Sequence, residues 1–398
     1  MTPNPDAQAP AAHACALPWV RLRSASPSAN IFKRMIGSVD PKARPGDLVA
    51  VYDKADAPYG MAIYNPKSLI SLRLLTRGAA DTDAEAFFRK RLASAVELRR
   101  QVFKLDAASN AYRIVHDLGD GLPGLVVDRY NEFIVLEFYS LGMFRQAQRL
   151  EKILAEHYPG ARFVQRASDY TCSMEGFKLK PQPKSVTRIR EHGVVFEIDL
   201  TGGHKTGFFC DQRDNRMALA GLCEGKRVLD VCCYTGGFGL YAAKLGKAAA
   251  VTCVELDPES CDLARKNANI NNVKMDVVCV DAFPYLRQMA ANKQTYDVVV
   301  LDPYKLIASR EGYKLGRQKY LDLNRLAMSV LAEDGLLVTC SCSGLFTWED
   351  FAQTLRTSVG ASGRRLQVLR KSGAGIDHPV AVDHPDGEYL KVIWGRAS

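Results

Sequence analysis

The chain has 398 residues, 47% hydrophobic and 24% charged, a balance that suits several packed domains and excludes a disordered or collagenous chain. It carries 53 Lys and Arg against 44 Asp and Glu, net +9, a mild excess that points to an anionic partner. No apolar run approaches the roughly 18 residues of a spanning helix, so no membrane partner is expected. Eleven cysteines, odd in number and without a CxxC pair, fit neither a disulfide scaffold nor a zinc ribbon, and no metal is expected. Several of them (Cys232, Cys233, Cys253, Cys279) sit in apolar strand-like runs, as free thiols do in a reducing cytoplasm.

Residues 1–17, rich in Pro and Ala without a basic n-region, read as a disordered tail rather than a signal peptide. Residues 18–78 hold short, closely spaced strands (Gly46 to Asp53, Met61 to Asn65, Leu69 to Leu75) that predict a small β-barrel or sandwich. Positions 18–77 carry ten Lys and Arg against four Asp, so +6 of the net charge lies there and suits a polyanion. Residues 79–190 read as an α+β module. Phe87, Phe88, Leu92, Val96 and Phe103 recur near helical spacing, a strand meander spans the GDGLPG turn, and an amphipathic helix covers Phe144 to Tyr158. From about 190, apolar strands alternate with helices, the pattern of a parallel sheet covered on both faces.

Ligands of such sheets bind at the carboxyl ends of the strands. The first strand there ends in Asp230 and runs into the loop Cys232 to Gly239, in which Tyr234, Thr235, Gly236 and Gly237 allow close backbone approach. The loop has neither the dinucleotide-binding GxGxxG nor a P-loop GKS/GKT. The second strand ends in Glu255, with Asp257 two residues on, an acid placed for two ribose hydroxyls. The third ends in Asp281-Ala282, placed for an adenine amino group, and the fourth in Asp302-Pro303. Helix capping explains each acid singly but hardly all four in this order.

This order resembles class I S-adenosylmethionine-dependent methyltransferases. The blocks Gly202 to Arg216, LDVCCYTGGFGLYAA, VELDPESCDLARKNANIN, LDPYKL and CSCSGLF resemble the ribosomal RNA large subunit methyltransferase I family, as do PGDLVAVYD, YNPKSLISLRLLTR and GDGLPGLVVDRY in the front half. The resemblance implies an α/β fold: a Rossmann-like class I methyltransferase domain (191–398) preceded by a small PUA β-barrel (18–78) that binds RNA and a central α+β domain (79–190). It implies S-adenosyl-L-methionine as cofactor, 23S ribosomal RNA as partner, cytosine carbon 5 as acceptor and a cytoplasmic enzyme, and it is compatible with a homodimer. It places Lys205, Thr206, Phe208 and Gln212 beside the cofactor.

Carbon 5 of cytosine is not nucleophilic until a thiolate has added to carbon 6. By motif position the nucleophile is Cys342, with Cys340 the alternative thiol, and Asp302 is expected to hydrogen-bond the cytosine edge and assist addition. One departure stands out: the family's DPP is here Asp302-Pro303-Tyr304, which restores an amide N–H and adds an aromatic face able to stack on a base. Methylation of an exocyclic amine, or a non-catalytic RNA-binding assembly role, are the alternatives. Arg213 and Arg216 are expected to open a helix or contact phosphate, and His204 to be a loop histidine. The blocks around His378-Pro379 and Gly387 to Lys391 are expected at a sheet edge or RNA-facing rim, and Arg364, Arg365, Arg370 and Lys371 on a solvated face.

Overall fold

The computed structural model describes residues 9–10, 13, 15–78, 83–200 and 207–398. They separate into two units: Met1–Ser185 with Asp199–Phe208 and Asp377–Gly387, and Val186–Ile198 with Phe209–Ile376 and Glu388–Ser398. None of the described helices is long and apolar enough to cross a membrane.

The first unit begins with a mixed sheet of β1 (Trp19–Leu22), β2 (Asn30–Phe32), β3 (Ile36–Val39), β4 (Leu48–Tyr52), β5 (Pro58–Tyr64) and β6 (Ile70–Leu74), in the order β2-β6-β5-β4-β1-β3. All six strands feed one core, from Ile31 and Ile36 on the outer strands to Val49, Val51 and Leu72, so the sheet wraps around it. The period of two shows in β4, where Val49 and Val51 enter that core while Ala50 and Tyr52 pack with Trp19. The expected tail is shorter at its end. His13 hydrogen-bonds the Tyr52 hydroxyl at 3.0 Å, and Cys15 and Leu17 pack beside Trp19, because this outer face is itself apolar.

β5 explains why its sequence shows no polar alternation. Ala62 and Tyr64 face the wrapped core, whereas Met61 and Ile63 join a second core with Phe88, Leu92, Val127 and Leu150. That core lies beneath β7 (Ala111–His116), β8 (Leu125–Tyr130), β9 (Phe133–Phe138) and β10 (Arg162–Arg166), ordered β10-β9-β8-β7, and the helices Ala84–Glu97 and Ala147–His157. The meander is therefore present, and the two front modules share apolar packing.

The segment Asp377–Gly387 is held against β7 and the turn after it. Gly119 lies so close to it that a Cβ would fall 1.9 Å from the Pro379 carbonyl. Asp377 and His378 are 0% and 6% exposed, so this block is not the expected rim: its carboxylate and carbonyl satisfy buried donors of the central module.

The second unit opens with a hairpin, β11 (Val186–Glu191) and β12 (Val194–Asp199), joined by His192 and Gly193. Its main sheet comprises β13 (Arg227–Val231), β14 (Ala250–Glu255), β15 (Asp276–Cys279), β16 (Tyr296–Leu301), β17 (Leu331–Ser341), β18 (Leu366–Ser372) and β19 (Lys391–Ala397), ordered β15-β14-β13-β16-β17-β19-β18. β13 to β17 are parallel and β19 is antiparallel to both neighbours. β19 thus lies inside the sheet, and Lys391 at its start is 2% exposed, not at an edge. Arg370 and Lys371 are exposed on the outer strand β18, as expected. Arg364 instead donates to the carbonyls of Met328, Leu331 and Ala332, where the helix Tyr313–Val330 ends and its last acceptors need partners.

Candidate active site

From β13 the chain crosses to β14 on one side, whereas β16 lies on the other, and α/β sheets bind ligands where the strand order reverses in this way. The Asp302 N–H donates to the Val231 carbonyl at 3.2 Å, tying the loop after β16 to the end of β13.

Asp230 is 1% exposed. Its Oδ2 accepts the Gly239 N–H at 2.8 Å, while Oδ1 is buried with no hydrogen-bond partner among the described residues. Burial pushes this carboxyl up to about 7, with Asp302 and Glu255 adding to the effect. Buried acceptors are normally satisfied, so an orphan here suits a ligand that brings a donor or a positive charge.

The loop beyond turns through left-handed backbone at Cys232 (φ 60°), Tyr234 (φ 50°) and Gly236 (φ 82°). Gly236 adopts this without cost, but Tyr234 must be held there. Glu255 holds it: Oε2 accepts the Tyr234 N–H at 2.8 Å, and Oε1 accepts those of Leu256 at 2.8 Å and Asp257 at 3.1 Å. The Phe209 ring meets Tyr234 edge-on, centroids 5.0 Å apart. Thr235 is buried, and the helix Gly237–Lys244 follows.

Asp257 and Asp281 are helix caps. Asp257 Oδ2 accepts the Ser260 N–H at 3.0 Å and hydroxyl at 2.6 Å, and Asp281 accepts the Phe283 N–H at 2.8 Å, one residue past Ala282. Yet Glu255, Asp302, Asp230 and Asp281 all act on the Cys232 thiol and raise it, after burial. The parallel strands thus set the four strand-end acids along one edge of the sheet. Carboxylates so crowded favour a cationic guest, and a sulfonium with an amino group is one.

Beside them lies the end of β17. Cys340 is 0% exposed in an apolar cluster with Val338 and Val392, and burial holds its thiol well above its ordinary value. Gln212, 3% exposed, lies beside that thiol and accepts from Asn215 Nδ2 at 2.7 Å. Ser341 points to the other face, its hydroxyl 3.0 Å from that of Tyr320. Cys342, one residue past the strand, is partly buried, with Sγ 3.8 Å from the Pro303 carbonyl. The thiol thus adjoins the Asp302-Pro303-Tyr304 loop, on which Tyr304 is 69% exposed.

His204, Lys205 and Thr206 lie outside the described residues. Phe208 is buried in the first unit, where its carbonyl accepts the Tyr130 hydroxyl at 3.1 Å. Arg213 and Arg216 lie in the first turn of the helix Arg213–Ala220 and are 1% and 3% exposed, as the helix-opening expectation requires. Arg216 pairs with Glu191, 2.9 Å from Nε and 2.7 Å from Nη2, because a buried carboxylate at the end of β11 needs a counter-charge. Sequence reasoning missed Glu191, Phe209 and Lys391. The alternation of VTRIRE and VVFEID about His-Gly was the available signal for the hairpin that carries Glu191.

Residues 157–354 match the family described as S-adenosylmethionine-dependent methyltransferase, and residues 28–77 match a PUA-like domain. Curated relatives named ribosomal RNA large subunit methyltransferase I include one from Photobacterium profundum, 35% identical over 91% of this chain and 93% of its own. One from Aeromonas hydrophila is 36% identical over 92% and 94%. A solved structure from Streptococcus mutans, described as an S-adenosylmethionine-dependent methyltransferase, superimposes with a TM-score of 0.78 at 21% identity, covering 95% of this chain and 100% of that one. Another, complexed with S-adenosylhomocysteine, gives the same score and identity over 95% and 99%. The wrapped front sheet, the reversal between β13 and β16 and the ring of strand-end acids therefore belong to a member of the ribosomal RNA large subunit methyltransferase I family, an S-adenosylmethionine-dependent methyltransferase with an N-terminal PUA-like domain.

Proposed function

We propose that the chain methylates carbon 5 of a cytosine in 23S ribosomal RNA, in the cytoplasm, through a covalent adduct at Cys342. The relatives' name supplies ribosomal RNA of the large subunit as the substrate class. The observation that carries the finer reading is the pairing of a partly buried thiol, Cys342, with the Asp302-Pro303 loop at 3.8 Å, while its rival Cys340 is sealed in the core.

In this reading the target base is flipped out of its helix to reach the thiol. The Cys342 thiolate bonds to carbon 6 of cytosine, and the ring's electrons make carbon 5 nucleophilic. Asp302, beside the same loop, hydrogen-bonds the base edge and favours addition by sharing a proton with the ring nitrogen. The bound cofactor supplies a methyl group activated on a sulfonium. A base then removes the carbon-5 proton, and the carbon 6–sulfur bond breaks to restore the thiolate and the aromatic ring. Asp230, Glu255, Asp257, Asp302 and Asp281 with Ala282, the loop Tyr234 to Gly237, and Lys205, Thr206, Phe208 and Gln212 hold the cofactor.

Residues 18–78 hold RNA, 79–190 bridge, and 191–398 carry the reaction. Arg21 and Arg73 are paired with Asp56 and Glu175. Arg23, Lys33, Arg34, Lys42, Lys54 and Lys67 are exposed, a surface suited to phosphates. One observation favours amine methylation instead: Tyr304 stands exposed on the loop after Asp302, as a stacking residue would. The nucleoside formed decides between them. Ribosomal RNA from a strain lacking the chain, incubated with enzyme and labelled cofactor, is expected to yield labelled 5-methylcytidine, and label in an N-methylated base would establish the amine reading.

Glu255→Ala is expected to lower cofactor affinity at least tenfold, since losing a charged acceptor costs roughly 1.5–3 kcal/mol. Glu255 also holds Tyr234, so calorimetry should include an analogue lacking both ribose hydroxyls. If Glu255 grips the ribose, the mutation changes that analogue's affinity far less. Equal losses for both ligands would reduce Glu255 to a support for the loop.

A further inference from the structure

Lys391 is a buried cation of the second unit that the proposed chemistry leaves unused. It sits at the start of β19, in register with Ser341, the residue before Cys342. Its Nζ donates to the Ser343 carbonyl at 3.2 Å and to the Tyr389 carbonyl at 2.8 Å. It therefore grips the turn on the far side of Cys342 from its strand partner, so that Cys342 lies between the two attachments along the chain. An ammonium has three N–H groups, and among the described residues only these two acceptors take one. Burying a lysine inside a sheet is costly unless its charge is used. Burial lowers Lys391 from its ordinary value, against the raising pull of Glu388 and Cys342.

The groups facing this turn from the surrounding elements sharpen the point. Tyr320 and Cys340 are neutral side chains held so by burial. Tyr320 spends its hydroxyl on Ser341 and Ser343. Asp302, across the cleft, opposes a thiolate by its own charge, as it opposes ionisation of Cys340. Glu388 is turned to the Trp348 indole N–H at 2.8 Å. Among these described groups Lys391 carries a positive charge.

We propose that Lys391 is a positioning residue for Cys342: its ammonium fixes the turn that carries the thiol and stabilises the thiolate against the carboxylates of the cofactor site. The proposal rests on Cys342 being the nucleophile only for its catalytic meaning, because the effect on the thiol is measurable without turnover. An ammonium is spent neither by addition nor by elimination, so Lys391 serves both halves of the reaction unchanged.

The test is the rate of Cys342 alkylation by iodoacetamide from pH 6 to 9, followed by peptide mass spectrometry with the exposed Cys279 as internal reference. Lys391→Met is expected to slow Cys342 at pH 7 at least fivefold relative to Cys279. Lys391→Arg, which keeps the charge, is expected to recover most of the rate. Cofactor calorimetry establishes that each variant is folded. Should Lys391→Met fail to fold, Lys391→Gln takes its place, and an unchanged Cys342 rate in that variant overturns the proposal. So does an unchanged Cys342 rate in folded Lys391→Met. If Lys391→Met slows alkylation while Cys342→Ala still methylates RNA, the Lys391 assignment holds and the nucleophile assignment falls.

Discussion

RNA carrying 5-fluorocytidine at the target position is expected to leave the enzyme covalently bound to its substrate. The thiolate adds to carbon 6 and the methyl group arrives at carbon 5, but fluorine cannot leave as a cation, so the final elimination is blocked. The adduct should survive denaturing electrophoresis in the parent protein. In Cys342→Ala both the adduct and methylation should vanish, a loss on the order of a thousandfold or more, equivalent to about 4 kcal/mol of barrier. Cys340→Ala should retain both, because that thiol is 0% exposed and held protonated by burial. Methylation persisting in Cys342→Ala would mean that no thiol is needed, and the acceptor is then an amine. An adduct lost only in Cys340→Ala would show that the strand-end thiol has been misassigned.

Which of the eleven cysteines the sequence singles out follows from where each stands. A cysteine inside an apolar strand reads as packing, and Cys253 and Cys340, both 0% exposed, are packing. Cys342 follows the strand, between serines and before Gly344, where the chain leaves the sheet edge-on to the cleft. The acids were legible for the same reason: an acid just past a parallel strand lies at the carboxyl edge of the sheet. The two explanations offered by sequence for Asp257 and Asp281, helix cap and ligand acceptor, are not exclusive, since one carboxylate oxygen serves the cap in each. Illegible were residues whose partners are far away in sequence. Arg216 leaves helix opening and phosphate contact both open until Glu191 is found 25 residues earlier on a hairpin. Lys391 looks like a sheet-edge residue because nothing local says that the last strand inserts between β17 and β18. The boundary near residue 78 looks clean because Met61 and Ile63 show only that their strand is buried, not that each face meets a different core.

The blocks GDGLPG and DHP, quoted in sequence as separate signatures 250 residues apart, turn out to be two halves of one buried device, and its removal should be costly. Arg99, 0% exposed, donates Nη2 to Asp120 Oδ2 at 2.8 Å and to the Asp377 carbonyl at 2.7 Å, and Nε to the Arg113 carbonyl at 3.0 Å. Asp377 in turn accepts the Arg113 N–H at 2.9 Å and meets His378 Nδ1 at 3.0 Å. His116, its ring 5.0 Å from that of His378, is kept neutral by burial and by the Arg113 charge. Arg99→Met keeps most of the volume but strands the Asp120 carboxylate, whose side chain is 5% exposed. Breaking a buried pair from one side costs about 3–5 kcal/mol, and the loss should appear as an earlier urea transition of the first unit. The double variant Arg99→Met with Asp120→Leu removes the stranded charge and should recover part of that loss. Hydrogen exchange adds location: the amides of Asp377, His378 and Val380 should lose protection in Arg99→Met before those of β8 and β9. A cost below about 1 kcal/mol, the range of an exposed pair, would mean that the segment is held by apolar contact and not by this network.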